Sequence, residues 1–404
     1  MDLDDTPEEA AFRAEVRAWL ESRAARRIGP SRWPDKAREL EALTAARAWQ
    51  RAKADAGYAA ITWPKQFGGM GGTPIQAVIF EQEEAEFDTP PGFFAIGLQI
   101  CLPALFTHGT DAHRTRHLPP ALQGEEIWCQ LFSEPGAGSD LAGIRTRAVK
   151  DGDRWIINGQ KIWTSGAHYC DFGLLLTRTD PTLPKHKGLT MFFIDMKSPG
   201  VDVRPLRQAT GAAEFNEVFF TDVVVPDSQR LGAVNEGWRV ALTALMHERV
   251  MVMRTLPLPT YVDALRVARA AHIDGKPALE DARVRERIAN WYLRDQGLKL
   301  NRFRGVTALS QGQPPGPEQS IGKVIAARQG QEIATFLIDL LGEDGLLVGA
   351  EGANAALQRQ WMWGAAMRVA GGSDEILKNI VAERVLGLGD EIRIDKDVPF
   401  SSLR

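Results

Sequence analysis

Apolar positions recur at two different spacings along this chain, and the change from one to the other divides it. From residue 7 to about 125 the spacing is helical: Phe12, Val16, Trp19 and Leu20 fall on one face, and Leu40, Leu43, Trp49 and Ala52 continue the pattern. A loop at Ile61–Gly72 breaks it, because Pro64 and four clustered glycines cannot continue a helix. Helix is predicted again over Gln76–Glu86, and an apolar helix over Phe93–Phe106. Between about Ile127 and Gly232 the period becomes two. Strands are predicted over Ile144–Val149, Trp155–Thr164, Phe172–Thr177, Leu189–Met196 and Glu214–Val225, with turns at Asp151-Gly152, Asn158-Gly159 and Ser198-Pro199-Gly200. From Glu236 long helices return, the first interrupted by Pro257 and Pro259, with others near Asp281–Val306, 318–341, 351–370 and 374–387. A proline- and glycine-rich linker, Gln311–Pro317, lies among them.

An all-helical run, an all-strand run and a second helical run imply an α+β fold with segregated layers, not alternating βαβ units. The expected domains are 1–125 (helical), 126–232 (an antiparallel sheet or barrel) and 233–404 (helical). No GxGxxG follows a predicted strand, so a dinucleotide-binding fold is unsupported.

The chemistry concentrates between Gln130 and Ser165. Its first half, Leu131-Phe132-Ser133-Glu134-Pro135-Gly136-Ala137-Gly138-Ser139-Asp140, is small and polar enough for the backbone to approach a flat ligand. Its second half, Asp153–Ser165, reads as two strands joined by a tight turn at Asn158-Gly159. It ends in Trp163, Thr164 and Ser165, an aromatic plate beside two hydroxyls. Either half alone is as well explained by a surface loop or an ordinary hairpin; together they suit a planar, heteroatom-rich cofactor.

Composition narrows the picture from outside. A chain of 404 residues with a formal net charge of −4 gives no reason to expect nucleic acid or an anionic membrane as partner. The three cysteines, Cys101, Cys129 and Cys170, lack metal-ligand or CxxC spacing and suit a reducing cytoplasm. The acidic start, Met1-Asp2-Leu3-Asp4-Asp5, is unlike a signal peptide, and no apolar run has the length of a membrane span. The seven histidines are read as offering no paired ligand spacing, so no metal is expected, and His247 is read as a packing residue.

The paired "SEPGAGSD" and "GQKIWTS" stretches resemble the signature of the acyl-CoA dehydrogenase family, and the resemblance runs from the N-terminal helices to the final "AERVLGLG". It implies a helical N-terminal domain, a central antiparallel β-barrel domain and a C-terminal four-helix bundle, with FAD as cofactor. By that resemblance Leu131, Phe132 and Ser133 meet the pyrimidine edge of the flavin, and Trp163, Thr164 and Ser165 line its ring. Ser165 would lie near the nitrogen (N5) that accepts the β-hydride. The resemblance also assigns Gly138 to the cofactor, Ser139 to both cofactor and the CoA end of the thioester, and Arg249, Gly371 and Gly372 to the substrate. Gly342, Ser373 and Glu375 match positions that close the cofactor site of a neighbouring subunit.

The base is where the chain departs from many relatives. Gly371 stands where they carry the catalytic glutamate, and the isovaleryl and long-chain type instead places it before an arginine, here Glu248-Arg249 in His247-Glu248-Arg249-Val250. On a helix Glu248 shares a face with Ala244, Leu245, Met251 and Val252, so desolvation is expected to raise its pKa toward that of a general base. A solvent-facing Glu–Arg pair is the alternative reading.

Two further departures bear on the cofactor. Leu-Gly-Glu-Asp-Gly replaces the common Phe-Gly-Gly-x-Gly at 341–345, and an Arg-x-x-Phe-Gly segment is missing, for which Arg283 or Arg285 is expected to compensate. The expected activity is α,β-dehydrogenation of an acyl-CoA, with electron-transfer flavoprotein as acceptor and a homodimer or homotetramer as assembly. A flavin-poor partner subunit of a hetero-oligomer, a flavin oxidase or monooxygenase on the same fold, and a helical interaction protein are the alternatives. Phe93, Phe94, Ile96, Gly97 and Leu98 suggest an apolar substrate cavity. The Pro257-Leu258-Pro259 break and the missing Arg-x-x-Phe-Gly segment resemble a divergent bacterial group that includes enzymes for branched, alicyclic or steroid side-chain thioesters, with a straight-chain substrate still open.

Overall fold

The computed structural model describes residues 5–27, 38–254, 258–311, 313, 316–347, 353–389, 392 and 394–403. The chain forms two compact units, Asp4–Met251 with Glu391–Arg404, and Val252–Asp390 with Met1–Leu3.

Among the described residues the first unit begins with the α-helices α1 (Pro7–Glu21), α2 (Glu39–Asp55), α3 (Pro74–Glu84), α4 (Leu102–His108) and α5 (Asp111–Leu122). Thr6, Thr73 and Thr110 start α1, α3 and α5 with reciprocal capping boxes, each satisfying two amides that a helix start leaves unpaired. Phe12, Val16 and Leu20 are buried as their spacing requires and pack with Tyr58, Ile79, Phe80 and Phe87. Leu40 departs from the pattern. It is 77% exposed, because α2 buries Ala46 and Gln50 instead. The apolar helix expected over Phe93–Phe106 is interrupted: Gly97–Cys101 form a π-helical turn, which leads into α4. At Gly97 a Cβ would sit 3.1 Å from the Cβ of Trp128, so the turn can press close to the strand that follows.

Eight strands follow: β1 (Trp128–Leu131), β2 (Arg147–Asp151), β3 (Arg154–Ser165), β4 (Phe172–Arg178), β5 (Leu189–Asp195), β6 (Val201–Leu206), β7 (Phe215–Pro226) and β8 (Arg230–Leu231). They form one sheet in the order β6-β7-β3-β2-β4-β5-β8, with β1 beside β4. Most neighbours are antiparallel as expected, but β1 runs parallel to β4 and β2 meets β4 in parallel. The expected barrel does not close among the described residues, since β6 and β8 end the path unpaired to each other. β6 carries the charged Asp202–Arg204 pair, which suits a solvent-facing edge.

Asn158-Gly159 is not the turn its composition predicts. β3 passes straight through it, and a register shift against β7 absorbs the irregularity. The two side-chain atoms of Asn158 bond reciprocally to Asp222: Nδ2 donates to Oδ1 (2.9 Å), and Oδ1 accepts from the Asp222 amide (3.0 Å). Gly159 and Asp222 take positive φ of 152° and 51°. The permissive backbone is used for a bulge inside a long strand. The true β2–β3 turn is at Gly152, with φ of 64°. The last helix of the unit, α6 (Gly237–Arg254), carries Glu248.

The second unit is helical. Its elements are α7 (Tyr261–Ala270), a short hairpin of β9 (His272–Ile273) and β10 (Lys276–Pro277), α8 (Ala282–Ser310), α9 (Gln319–Leu341), α10 (Glu343–Leu346), α11 (Ala353–Met367) and α12 (Asp374–Arg384). α9 packs against α8, α11 and α12, as the expected bundle requires, and Trp291, Ile333, Phe336, Leu337 and Leu357 fill its core. Pro257 lies outside the described residues, as do Gly312, Pro314 and Pro315 of the predicted linker. No helix among the described residues is long and apolar enough to cross a membrane.

Candidate active site

The two halves of the 130–165 stretch are locked together from below. Lys161 on β3 is fully buried, and its Nζ donates to the Phe132 carbonyl and to Glu134 Oε1, both at 2.9 Å. Glu134 also accepts the amides of Arg145 (2.6 Å) and Thr146 (2.8 Å). The Ile162 amide donates to the Ser133 carbonyl at 2.9 Å. Burial alone would raise the Glu134 pKa, but the Lys161 charge and these amides outweigh it and hold the carboxyl below its ordinary value. Burial pulls Lys161 down to about 8 against the opposing pull of Glu134. Composition gave no hint of this pair, whose members lie 27 positions apart. The signal was a charged residue inside each motif.

Above this clamp the strand is bent. A second register shift between Lys161 and Thr164 puts Trp163 at φ 60°, a left-handed conformation that costs a side-chain-bearing residue about 1–2 kcal/mol. The ring is 55% exposed, with its edge toward Phe215. Thr164, next to it, is buried, and its Oγ1 has no hydrogen-bond partner. Ser165 is half-buried. In the facing loop Leu131 and Phe132 are buried, Ser133 is half-buried, and Gly138 and Ser139 are exposed. A Cβ at Gly136 or Gly138 would meet nothing within 4 Å. The end of the loop is tethered through Asp140, which accepts from Lys185 at 3.0 Å. Lys185 also pairs with Asp395 at 2.6 Å, so the C-terminal segment is tied to the loop. In that segment the Phe400 amide donates to the Leu183 carbonyl, and the Arg178 guanidinium lies 3.9 Å from the Phe400 ring centroid.

Glu248 reaches the same strand. Its Oε2 accepts from Gln130 Nε2 at 3.0 Å, and Gln130 immediately precedes Leu131 in β1. Glu248 is half-buried, with Ala244 buried and Leu245 half-buried one turn earlier on α6. The side chains of Arg249, Val250, Met251 and Val252 lie outside the described residues. His247 is exposed. Cys101, from the π-helical turn, is fully buried, and its thiol is pushed well above its ordinary pKa by burial, with Cys129 and Glu248 adding to the effect. Thus Glu248 and the loop strand converge within one unit.

The reading of the histidines needs correction. His113 and His117 do have the four-residue spacing of a ligand pair on α5. Both are otherwise engaged: His113 Nε2 meets the Ser228 carbonyl at 2.6 Å, and His117 Nδ1 meets Glu126 Oε2 at 3.0 Å. Among the described residues no group of three or more His, Cys, Asp or Glu could hold a metal ion.

The remaining predicted residues belong to the second unit. Gly342 ends α9 at φ 57° and ψ −127°, a conformation open to glycine, and a Cβ there would meet nothing within 4 Å. Gly371 and Gly372 have φ of 65° and 90°, and Lys323 Nζ donates to the Gly372 carbonyl at 2.7 Å. Ser373 caps α12 by accepting the Ile376 amide, and Glu375 is exposed at the same helix start. Arg283 is bound to Asp281 at the head of α8 (2.9 Å), and Arg285 donates to the carbonyls of Leu279 (2.7 Å) and Glu280 (2.8 Å). At the place of the missing Arg-x-x-Phe-Gly segment stands the β9–β10 hairpin, with Asp274 and Gly275 both at positive φ.

Comparison with known proteins extends the resemblance over the chain. Residues 6–125, 129–223 and 235–386 match, in turn, the N-terminal, middle and C-terminal domains of acyl-CoA dehydrogenase. The acyl-CoA dehydrogenase FadE34 of Mycobacterium tuberculosis is 40% identical over 340 residues, 84% of this chain; the match spans only 46% of that longer protein. The acyl-CoA dehydrogenase IpdE1 of the same organism is 35% identical over 390 residues, covering 95% of this chain and 98% of the relative. Among solved structures, the Tcur3481-Tcur3483 steroid ACAD gives a TM-score of 0.79 at 26% identity, covering 97% of this chain and 100% of that one. The ChsE4-ChsE5 complex from Mycobacterium tuberculosis gives 0.77 at 26% identity, again over 97% and 100%. With three consecutive domains matched and a relative aligned almost end to end, the chain belongs to the acyl-CoA dehydrogenase family of flavoprotein oxidoreductases.

Proposed function

We propose that this chain catalyses FAD-dependent α,β-dehydrogenation of an acyl-CoA thioester with Glu248 as the base. The observation that carries the reading is the half-buried Glu248 carboxylate, held by an amide from the strand that opens the Ser133–Asp140 loop. A flavin fits the residues present. The unpartnered buried hydroxyl of Thr164 is the kind of group a bound heteroatom satisfies, and the unfilled space at Gly136 and Gly138 lets the backbone approach a flat ring. Leu131, Phe132, Ser133, Gly138, Ser139, Trp163, Thr164 and Ser165 would hold it, and Gly342, Ser373 and Glu375 are proposed to serve the cofactor site of a neighbouring subunit. When bound, the flavin supplies acceptance of the β-hydride.

The chain supplies the rest. Glu248 takes the α-proton onto a carboxylate oxygen, and Ser139, Arg249, Gly371 and Gly372 orient the thioester. The steroid named for one structural neighbour makes a bulky ring-bearing acyl group the first substrate class to try. Electron-transfer flavoprotein is the proposed acceptor. The division 1–125, 126–232 and 233–404 is carried with the same reading.

A second reading is favoured by the commitments of Arg283 and Arg285 to local partners, and by the acidic Glu343 and Asp344, which suit a cofactor diphosphate poorly. It makes this chain a flavin-poor subunit of a hetero-oligomer; one structural neighbour is itself a complex, ChsE4-ChsE5. Flavin absorbance of the purified protein, followed by anaerobic bleaching with a panel of acyl-CoAs, separates the two. A yellow protein bleached by a thioester supports the first reading; a colourless one that gains flavin only with a partner chain overturns it.

A further inference from the structure

We infer that the segment Asp395–Leu403 is a clasp for the Ser133–Asp140 loop, with Lys185 as the positioning residue that joins the two and fixes Ser139 for the CoA end of a thioester. The inference rests on the proposed reading of Ser139. Residues 394–403 lie beyond the matched C-terminal domain, which ends at 386, yet they belong with the first unit. The Phe400 amide donates to the Leu183 carbonyl at 2.9 Å and the Ser401 amide to the Pro181 carbonyl at 2.8 Å, while Pro399 bridges to Pro184. The segment is therefore seated on the turn between β4 and β5.

Two cations carry that seating to the loop. Lys185 Nζ donates to both oxygens of Asp140, at 3.0 and 3.1 Å, and pairs with Asp395 at 2.6 Å. Asp140 directly follows Ser139. Burial would lower the Lys185 pKa, but its bonds to Asp395 and Asp140 outweigh this and raise it, so the ammonium stays charged between two carboxylates. Arg178, buried at the end of β4, spans the stretch just beyond: Nη2 donates to the Ala142 carbonyl at 2.5 Å and Nη1 to the Lys185 carbonyl at 2.8 Å. Phe400 covers this guanidinium, which lies 3.9 Å from the ring centroid. Each cation thus touches the C-terminal segment on one side and the residues after Ser139 on the other.

The loop has reason to need a second anchor. Its upstream end is fixed at Glu134 by Lys161. Between Glu134 and Asp140 stand Gly136 and Gly138, in open space and with the widest backbone freedom of any residue type. Pinned at one end only, the loop would spread Ser139 over many positions, and ordering it on binding would subtract from affinity.

The test uses Asp395→Lys, which sets a like charge against Lys185, and Phe400→Ala, which uncovers Arg178. Asp395→Asn, nearly unchanged in shape, guards against misfolding, and Lys396→Ala, exposed on the same segment, is the control. Amide hydrogen exchange of residues 133–145 is measured well below each variant's Tm, and affinity for coenzyme A itself by calorimetry. In Asp395→Lys and Phe400→Ala, exchange there should be about tenfold faster and coenzyme A binding about three- to tenfold weaker, with Asp395→Asn moving the same way by less and the control unmoved. Wild-type exchange and wild-type coenzyme A affinity in all three variants overturn the inference alone. A wild type that binds no coenzyme A overturns instead the reading of Ser139, and this inference with it.

Discussion

The 130–165 region and the 342–375 region were both expected to hold the cofactor, yet they are built in opposite ways. In the first, a buried ion pair, several backbone amides and a strained strand converge beneath the surface, and unsatisfied or open positions remain above. In the second, several residues are occupied with the local fold: Ser373 caps a helix and the Gly372 carbonyl accepts from Lys323, while the nearby candidates Arg283 and Arg285 serve the start of α8. A platform for a ring must be rigid and incompletely satisfied before the ligand arrives. The first region joins that rigidity to the open hydroxyl of Thr164, whereas in the second the open positions, Gly342 and Asp374 Oδ1, lie among residues that cap and tie helices.

The comparison can be broken at its strongest points first. Glu248→Gln should fold and retain any flavin while lowering turnover by about 10²–10⁴-fold, the usual range for a lost general base; stopped-flow reduction by substrate checks it. Lys161→Met should destabilise the protein by about 3–5 kcal/mol, because Glu134 is left buried and unpaired. Urea unfolding would measure this, and an unchanged midpoint would show that the clamp is not what organises the first region.

The same clamp predicts a pH dependence. The Glu134 pKa is depressed in the folded chain, so its stabilisation is fully present above the unfolded value, roughly 4.5, and is lost as pH falls through the lower folded value. The Tm gap between wild type and Glu134→Gln should therefore be largest near neutrality and shrink in acid. In the second region the effects should be smaller. Ser373→Ala should cost about 1 kcal/mol through the lost cap, and Arg283→Ala should leave the unfolding midpoint unchanged, as for other exposed ion pairs. A large loss of flavin affinity in either variant would erase the contrast between the regions.

What could be read from sequence was whatever short-range chemistry decides. Thr6 and Thr73 begin helices because their hydroxyls and the following Glu9 and Gln76 satisfy each other locally. Strand alternation located most of the sheet for the same reason. The failures all involve distant partners. Asn158-Gly159 carries the composition of a turn, but the twelve residues of β7 pair along β3 and convert it to a bulge. The π-helical turn at Gly97–Cys101 leaves no mark in an apolar run; it follows from the close approach to Trp128. Leu40 keeps helical spacing yet faces water, since periodicity does not say where the next layer ends. Within the candidate site, the motif residues were legible, whereas Lys161, Glu134 and Gln130 owe their roles to contacts that only folding creates.

Trp163 has a consequence for anyone selecting this protein for robustness. A glycine or asparagine would occupy its left-handed backbone with less tension, so a screen for heat tolerance alone should favour discarding the indole. Durability and catalysis would then pull this one codon in opposite directions, and variants hardened at 163 should emerge sturdier but pale.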